Sequence, residues 1–352
     1  MKTKNKIKSI PALIASLVLL GALPAGAETT RLFTGPDNAE LLDHLSPPGF
    51  ATGDVIHVRG TGASAKVAAS TRNFSAARLY VGTSFGAGVL WLNSGGISLT
   101  DGASQTLVIG QTVHSGTLYM KGGSLAVRGG VTIGSVTRDT PGNGALLITG
   151  GSLVLSDSGA AGKAVINIAS GGHANASGLL EISNASVTGG FIAGHSADTA
   201  PAGAARLTVH GDAGVRGVAQ NAFVLRKSAA VTFVLTPGGG FKTFDQSLSS
   251  PAQINDRCSI KLDVSRLDPA AVAARPSGAV DLVKLNPQTD DLMWRRLRQI
   301  LVLSGYDQGT PSPGGPDSDT YSFSVNGSSY TLVLGWDNAA RTLKLSSLAK
   351  AP

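Results

Sequence analysis

The chain has 352 residues, of which 14% are charged, 5% are aromatic and 46 are glycine. Hydrophobic residues make up 42% of the sequence, which is enough to build a core and excludes an intrinsically disordered chain. Low charge together with frequent Gly, Ser, Thr and Val argues against a cytosolic helical enzyme and favours an all-β secreted protein. The length fits one large β domain or two ordinary domains.

Residues 1–27 have the pattern of a secretory signal peptide. A basic start from Lys2 to Lys8 precedes the apolar run Ala12–Leu23, and Ala25-Gly26-Ala27 provides small residues for a signal peptidase. The apolar run is shorter than the roughly 20 residues that cross a bilayer, which disfavours a membrane anchor. We therefore predict cleavage after Ala27 and an exported protein that is extracellular, periplasmic or at the cell surface.

Cleavage at this point would remove four Lys and no acidic residue, so the net charge would fall from +7 to +3. A charge of this size over the remaining chain gives no indication of nucleic-acid binding. No second apolar run is long enough to span a membrane. The single cysteine, Cys258, cannot form an internal disulfide, so an exported form would depend on backbone pairing and core burial.

A three-strand pattern recurs between residues 79 and 212. A short apolar strand ends in Gly or Ala, a second apolar strand follows, and a Gly-rich turn leads into a third strand. These turns begin at residues 94, 121, 149, 183 and 210, with spacings of 27, 28, 34 and 27 residues. The first strands of the copies are Leu79–Gly82, Leu107–Gly110, Val131–Gly134, Ile166–Ala169 and Phe191–Gly194.

This period predicts a right-handed parallel β-helix of about six coils over residues 55–220. A coil of about 25 residues accommodates three strands and three turns, and neighbouring coils pair at about 4.8 Å. The 34-residue coil would carry an insertion around Ser156–Lys163. The alternative is an antiparallel sandwich or barrel, because a strand, two glycines and a second strand also describe a hairpin. Stacked coils would place one column of side chains in the core: Val81, Ile109, Ile133, Ile168 and Ile192.

Both ends of the repeat region have a different character. Residues 28–54 are predicted to form an N-terminal cap, with a strand at Arg31–Phe33 and a helical turn at Ala39–Leu45, because a first coil has open backbone edges. Residues 221–352 are predicted to form a C-terminal β-rich domain, either a sandwich or a widened set of final coils. Within it, Asn326-Gly327 between alternating apolar residues is a strong hairpin signal.

One short helix is predicted in the C-terminal region, over Asp291–Leu303, with Thr289 as its N-cap. Met293 and Leu297 lie on its apolar face together with Ile300 and Leu301, whereas its arginines lie off that face. We favour a helix that plugs the core and holds its arginines in solvent. The alternative is a basic surface for an anionic polymer or a lipid. The arginines concerned are Arg295, Arg296 and Arg298.

The Leu-x-Ile-Gly and Gly-Gly-Ser-Leu-x-Val segments over residues 79–215 resemble the β-strand repeats of bacterial autotransporter passenger domains. They are also similar to Gly-rich exported repeat proteins of planctomycete- and verrucomicrobium-type bacteria. The resemblance implies a β-solenoid and export. The sequence shows neither a translocator domain nor a Pro-Glu-Pro sorting tail, so the resemblance does not extend to anchoring.

Two motifs point toward catalysis or metal binding. Gly82-Thr83-Ser84-Phe85-Gly86 matches a Gly-x-Ser-x-Gly nucleophile elbow, but the segment after it reads as a strand instead of a helix, so we interpret Ser84 as a corner of the repeat. The histidines have no metal-ligand spacing, although three of them follow the first strands of their coils. The six histidines are His44, His57, His114, His173, His195 and His210.

Polysaccharide-cleaving β-helices need two or three carboxylates on neighbouring coils. The carboxylates of these coils fall at different phases of the repeat and do not predict a cluster. Gly159–Lys163 has the wrong spacing for a phosphate-binding loop, and the calcium-binding nonapeptide of β-rolls is not found. The acidic residues concerned are Asp101, Asp139, Asp157, Glu181, Asp198 and Asp212, with Asp290, Asp291, Asp317 and Asp319 in the C-terminal region.

The leading hypothesis is therefore an exported, non-enzymatic structural or adhesive protein that presents turns and loops to a surface polysaccharide or another protein. We predict no catalytic, cofactor-binding or metal-binding residue. The alternative is a carbohydrate-active β-helix, either a lyase or hydrolase or a glycan-binding module. Such a module needs exposed aromatic platforms, and the main candidates, Trp91, Tyr80 and Tyr119, occupy positions that read as strand interior.

Overall fold

A computed structural model describes residues 28–134, 141–157, 164–170, 173, 175–195, 204–219, 221–276, 278–312 and 317–351. The predicted signal peptide and most of the predicted insertion, residues 158–163, lie outside these ranges. Within them the strands form three sheets of ten, ten and twelve strands. The prediction of an all-β protein is confirmed.

Sheet 1 begins with an antiparallel pair and continues with parallel strands only. Its strands, in spatial order, are Leu45–Ser46, Thr30–Phe33, Val55–Val58, Arg78–Val81, Leu107–Ile109, Val131–Ile133, Val165–Ile168, Gly190–Ala193, Phe223–Leu225 and Gln253–Ile254.

Sheet 2 is parallel throughout. Its strands, in spatial order, are Ala39–Glu40, Gly62–Ser70, Gly86–Leu92, Ser115–Met120, Asn143–Ile148, Ser177–Ile182, Ala205–His210, Ala229–Val234, Ser259–Asp263 and Leu301–Ser304.

Sheet 3 combines eight parallel strands with four antiparallel ones at its C-terminal end. The parallel strands are Phe74–Ala76, Gly96–Leu99, Ser124–Arg128, Ser152–Ser156, Ser186–Thr188, Gly214–Arg216, Phe244–Gln246 and Val280–Leu285, and the antiparallel ones follow in spatial order as Thr342–Lys350, Ser328–Asp337, Ser318–Val325 and Gln308–Ser312.

Between residues 55 and 246, consecutive strands belong to sheet 1, sheet 2 and sheet 3 in turn. Apart from Phe74–Ala76, which is the first strand of sheet 3, each strand pairs in parallel with its equivalent one coil earlier and one coil later, as Leu107–Ile109 does with Arg78–Val81 and Val131–Ile133. A hairpin-built sandwich would pair consecutive strands antiparallel. The antiparallel alternative is therefore wrong for the coils, which have the topology of a parallel solenoid.

The predicted core column exists for four of its five members. Val81 pairs with Ile109, and Ile133 continues the column to Ile168, all with no solvent exposure. The fifth member was wrong: Ala193, not Ile192, pairs with Ile168. The inward side chain directly precedes the corner residue in every copy, and in the last copy that position is Ala193. Ile192 instead pairs with Asn167 on the outer side of the sheet, next to buried Phe191.

Glycine is required where neighbouring coils approach most closely. A Cβ atom added to Gly116, at the start of a sheet 2 strand, would lie 1.9 Å from the carbonyl oxygen of Val81. At the corner leading into sheet 3, Gly123 has a φ of +74° and a Cβ there would lie 2.3 Å from the Gly95 oxygen. The regularly spaced glycines of the sequence therefore have two causes: some lie where neighbouring coils touch, and others lie in turns with a positive φ.

The N-terminal cap has both predicted elements. The strand Thr30–Phe33 joins sheet 1, and a 3-10 helix at Leu41–His44 follows. Leu41 and Phe33 are fully buried in the end of the core. Arg31 fixes the cap laterally, because its Nε donates to Asp54 Oδ2 at 2.8 Å and its Nη1 donates to the Pro47 and Pro48 carbonyls.

The C-terminal region combines the two architectures that the sequence left open. Parallel pairing continues beyond residue 220 as far as Leu301–Ser304 in sheet 2. The strands Ser318–Val325, Ser328–Asp337 and Thr342–Lys350 then add to sheet 3 as an antiparallel meander. The predicted hairpin is confirmed, since Asn326 and Gly327 have φ values of 50° and 74° at its turn.

The predicted helix is shorter than expected and has a different cap. It spans Asp291–Ile300, because the chain turns into a sheet 2 strand at Leu301. Asp290 is the N-cap and accepts from the Leu292 N–H at 2.7 Å. Thr289 is buried instead and its hydroxyl accepts from the Ala252 N–H. A second helix, at Pro269–Ala273, was not predicted; its short length gives no periodic signal.

Candidate functional surface

The outer face of sheet 2 carries an aromatic pair that two adjacent coils build together. Leu90 and Leu92 are fully buried, so strand alternation places Trp91 outside, and Tyr119 is its register partner on the next coil. The two rings are stacked, with centroids 3.9 Å apart and planes inclined by 9°. The sequence placed these residues within strands correctly, but their side chains lie on the outer, partly exposed face.

The stacking limits what the aromatic pair can bind. Tyr119 lies against the flat surface of the Trp91 indole, and the Lys121 ammonium lies over the same ring, 4.2 Å from its centroid. A sugar platform needs an open ring face, whereas these contacts use the π surface of Trp91. The main role of the pair is therefore to hold two adjacent coils together. Only the edges of the two rings remain available to a ligand.

A second stacked pair lies on the outer face of sheet 1. His57 and Tyr80 are register partners, with centroids 4.8 Å apart and planes inclined by 10°. Burial, followed by the positive charge of Arg59, lowers the pKa of His57 to about 4. The Arg59 guanidinium lies 4.6 Å from the centroid of Phe85, whose side chain is 64% exposed. At neutral pH this surface therefore combines a neutral imidazole with an exposed cation–π pair.

A polar arrangement joins two adjacent strands of sheet 2 to Arg266, which follows the strand Ser259–Asp263 two coils further along. His210 lies between an acid and a base: its Nε2 is 2.9 Å from Glu181 Oε1, and its Nδ1 is 3.1 Å from Arg266 Nη1. Because Arg266 can only donate, Nδ1 accepts and Nε2–H donates to Glu181. Both ring nitrogens are occupied, so the arrangement ties the coils together and leaves no imidazole nitrogen free for proton transfer.

Two of the described carboxylates of the coils have separate structural partners. Asp101 accepts from Arg78 Nε at 2.6 Å, and Asp212 accepts from the Asn184 N–H at 2.9 Å. Asp139 and Asp198 lie outside the described residues. The sequence predicts different phases of the repeat for these acids, and Asp101 and Asp212 have different local roles in the structure.

The C-terminal acids form a compact network with the helix. Asp319 accepts from both Arg298 Nε at 3.1 Å and Nη2 at 2.8 Å, and from Trp336 Nε1 at 2.7 Å. Arg341 pairs with Asp291 on the same side. The expectation that Arg298 extends into solvent was wrong, because a buried acid on the neighbouring meander faces it. Sequence spacing did not reveal this pair, which only the tertiary fold brings together.

Ser84 and the turn histidines do not come together as a site. Ser84 is exposed in a tight turn in which the Thr83 N–H donates to the Gly86 carbonyl, and a strand begins at Gly86. His195 is 2% exposed and its Nε2 is 3.1 Å from the Ala176 carbonyl oxygen, whereas His173 Nδ1 accepts from the Asn175 N–H. Across the described ranges, no three His, Cys, Asp or Glu side chains are grouped to hold a metal ion.

Comparison with known proteins gives no relative on which a function could rest. No family model matches the chain. No curated protein matches it at a significant level, and no solved structure does so. Among the described residues, none of the helices has the length and apolar character needed to cross a membrane.

Proposed function

We propose that this protein is an exported, non-enzymatic right-handed β-solenoid that acts as a structural or adhesive element at the cell surface or outside the cell. The observation that carries the proposal is the unbroken pairing of sheet 2 through ten parallel strands, from Ala39 to Ser304. A scaffold of this kind holds outward side chains at a fixed spacing of about 4.8 Å and offers an extended surface to a partner.

The outer face of sheet 3 supports this role. Its first five coils carry a register column of small, uncharged side chains, so a large partner can approach the backbone closely. Val154 in this column is 44% exposed. A repeating face of this kind suits an extended partner, such as a surface polysaccharide or another protein. The column consists of Ser75, Ser98, Ala126, Val154 and Thr188.

Export is tested by producing the full chain in a bacterial host. We expect the exported protein to begin at Glu28 and to react with a membrane-impermeant amine reagent on intact cells or in the medium. A variant with Leu19→Arg and Leu20→Arg interrupts the apolar run and serves as the control that should stay inside and uncleaved. Exported protein that begins at Met1, or wild-type protein that stays in the cytosol, would contradict the proposal.

A glycan-binding module is the second candidate, and the observation that favours it is that the partly exposed Trp91 and Tyr119 present their ring edges on the outer face of sheet 2. Trp91→Ala should then abolish retention on the glycans that the wild-type protein binds in an array. Phe85→Ala removes an aromatic side chain that is 64% exposed elsewhere on the surface and is the matched control. Equal binding by all three proteins would exclude the aromatic pair as a sugar site.

A further inference from the structure

The C-terminal end of the solenoid closes two of its three sheets. Sheet 3 continues into the antiparallel meander. The last strand of sheet 1 is covered by the helix, because the Ile254 N–H donates to Met293 Sδ at 3.2 Å and Arg296 Nη1 donates to the Ile254 carbonyl at 3.2 Å. Sheet 2 instead ends at Leu301–Ser304, which we call the edge strand. Over the described residues it pairs only with Ser259–Asp263.

The edge strand is only four residues long, but it lacks the other sequence features that usually protect a sheet edge. Its sequence, Leu-Val-Leu-Ser, contains no charge and no proline, and its pairing with Ser259–Asp263 is regular. The opposite end of sheet 2 differs, since a two-residue strand is followed by a 3-10 helix and the next strand contains a register shift between Gly62 and Lys66. Within sheet 2, the open edge therefore lies at the C-terminal end.

An uncharged groove of about 290 Å³ lies beside the edge strand. Val302 and Tyr306 at its rim are 48% and 37% exposed, which are high values for apolar side chains. No Asp, Glu, Lys, Arg or His is among its lining residues. An uncharged, extended segment therefore fits this groove, since a strand can pair with backbone groups of the edge that otherwise bind water. The main lining residues are Leu301, Val302, Leu303, Tyr306, Tyr321 and Phe323.

The edge strand is complementary to itself. Leu301 and Leu303 continue the inner columns of Ile260 and Leu262, while Val302 continues the outer column of Lys261. If two edge strands pair antiparallel about a two-fold axis through Val302, Leu301 of one copy lies opposite Leu303 of the other on the inner face. Apolar side chains then meet apolar ones, and no charges are opposed.

We propose that a second copy of this chain occupies the groove, with the two edge strands paired antiparallel in a closed two-fold dimer. The pairing joins two solenoids end to end at their C-terminal ends. Each copy uses its own C-terminal end for the two-fold contact, so the pairing closes as a dimer and does not continue as a fibre. This inference concerns assembly and is independent of export and of any ligand.

The molar mass of the purified wild-type protein, measured by light scattering over a range of concentrations, tests the dimer. In the dimer, Val302→Lys places the ammonium groups of the two copies next to each other at the two-fold axis. The resulting repulsion should shift the mass to that of a monomer. Leu248→Lys changes a similarly exposed apolar residue, at 50% exposure, and should leave the dimer intact. A wild-type protein that is monomeric throughout, or a Val302→Lys variant that remains dimeric, would overturn the proposal.

A cross-link tests the register. Directly opposite residues of antiparallel strands have Cβ atoms about 4.5–5.5 Å apart, so Val302→Cys should form an intermolecular disulfide when oxidised glutathione accepts the two electrons and is reduced to two thiols. Leu248→Cys is the control that should stay uncross-linked. Cys258 should not interfere, because it is buried and burial raises the pKa of its thiol to about 12. Equal cross-linking of both variants, or a monomeric wild-type protein that instead binds an apolar strand peptide, would contradict the two-fold pairing.

Discussion

The middle coils and the C-terminal meander solve the problem of stability in different ways. In the coils, aliphatic side chains stack on equivalents one coil away, as Ile109, Ile133 and Ile168 do without solvent exposure. In the meander, a single network joins Asp319 to Arg298 and to Trp336, and the Trp336 ring packs edge to face against Trp294 with centroids 5.4 Å apart.

The comparison separates contacts that recur in every coil from contacts that are made at one place in the molecule. The stability of a coil depends on its contacts with the neighbouring coils and on the apolar volume that it buries. Many combinations of aliphatic residues can therefore stabilise a coil. The meander also buries aliphatic side chains such as Leu332 and Leu345, but it adds particular partners whose charge and hydrogen-bond geometry must match. We therefore expect the coils to be sensitive to buried charge and the meander to be sensitive to the loss of one partner.

The largest effect should follow from Ile133→Asp. The carboxylate would enter a dry column between Ile109 and Ile168, and burial of an unpaired charge should lower the free energy of unfolding by several kcal/mol, on the order of 4 kcal/mol or more. Urea unfolding followed by circular dichroism measures this change. Val154→Asp lies on the outer face of sheet 3 and should cost less than about 1 kcal/mol. Similar losses for both variants would break the coil model.

Removal of the buried acid in the meander should have the next largest effect. Asp319→Ala leaves the Arg298 guanidinium and the Trp336 N–H without the carboxylate that both contact, and we expect a loss of about 2–4 kcal/mol. Asp281→Ala removes a pair with Lys284 whose side chains are 31% and 37% exposed, and should cost less than about 1 kcal/mol. An Asp319→Ala variant as stable as Asp281→Ala would show that the network does not hold the meander.

A smaller effect should depend on pH. The pKa of His57 falls from its ordinary value of 6.5 to about 4 in the fold, so the unfolded chain binds the proton more readily. The free energy of unfolding should therefore decrease as the pH falls from 6.5 to 4, by about 1–2 kcal/mol once partial exposure is allowed for. His57→Phe should flatten this part of the pH profile. Overlapping profiles for the variant and the wild-type protein would refute the assignment.

Much of the coil architecture could be predicted because it is periodic. The residue before each corner predicts the inward column, and Gly at the coil contacts gives the period. The prediction failed at Ile192 because apolar residues occupy both faces of that strand: the residue before the corner is the small Ala193, and the larger Ile192 beside it lies on the outer face. The Asp319–Arg298 pair and the groove beside the edge strand could not be predicted, since each joins segments that no sequence period relates.

The outward aromatic residues show the same limit. Trp91 and Tyr119 occupy equivalent positions one coil apart, and alternation with Leu90 and Leu92 already indicates the outer face. The stacking of their rings depends on side-chain rotamers and on Lys121. These are details of packing that a strand pattern does not contain, although they decide whether the pair can serve as a sugar platform.

The central claim is that this protein acts by presenting a surface and not by bond cleavage. The most direct test incubates the mature protein with a panel of acidic and neutral polysaccharides and measures new reducing ends and unsaturated products. We predict no product above that of heat-denatured protein, even for polysaccharides that retain the folded protein. Product formation by the wild-type protein that is lost when a single carboxylate, such as Glu181→Gln, is changed would contradict the account.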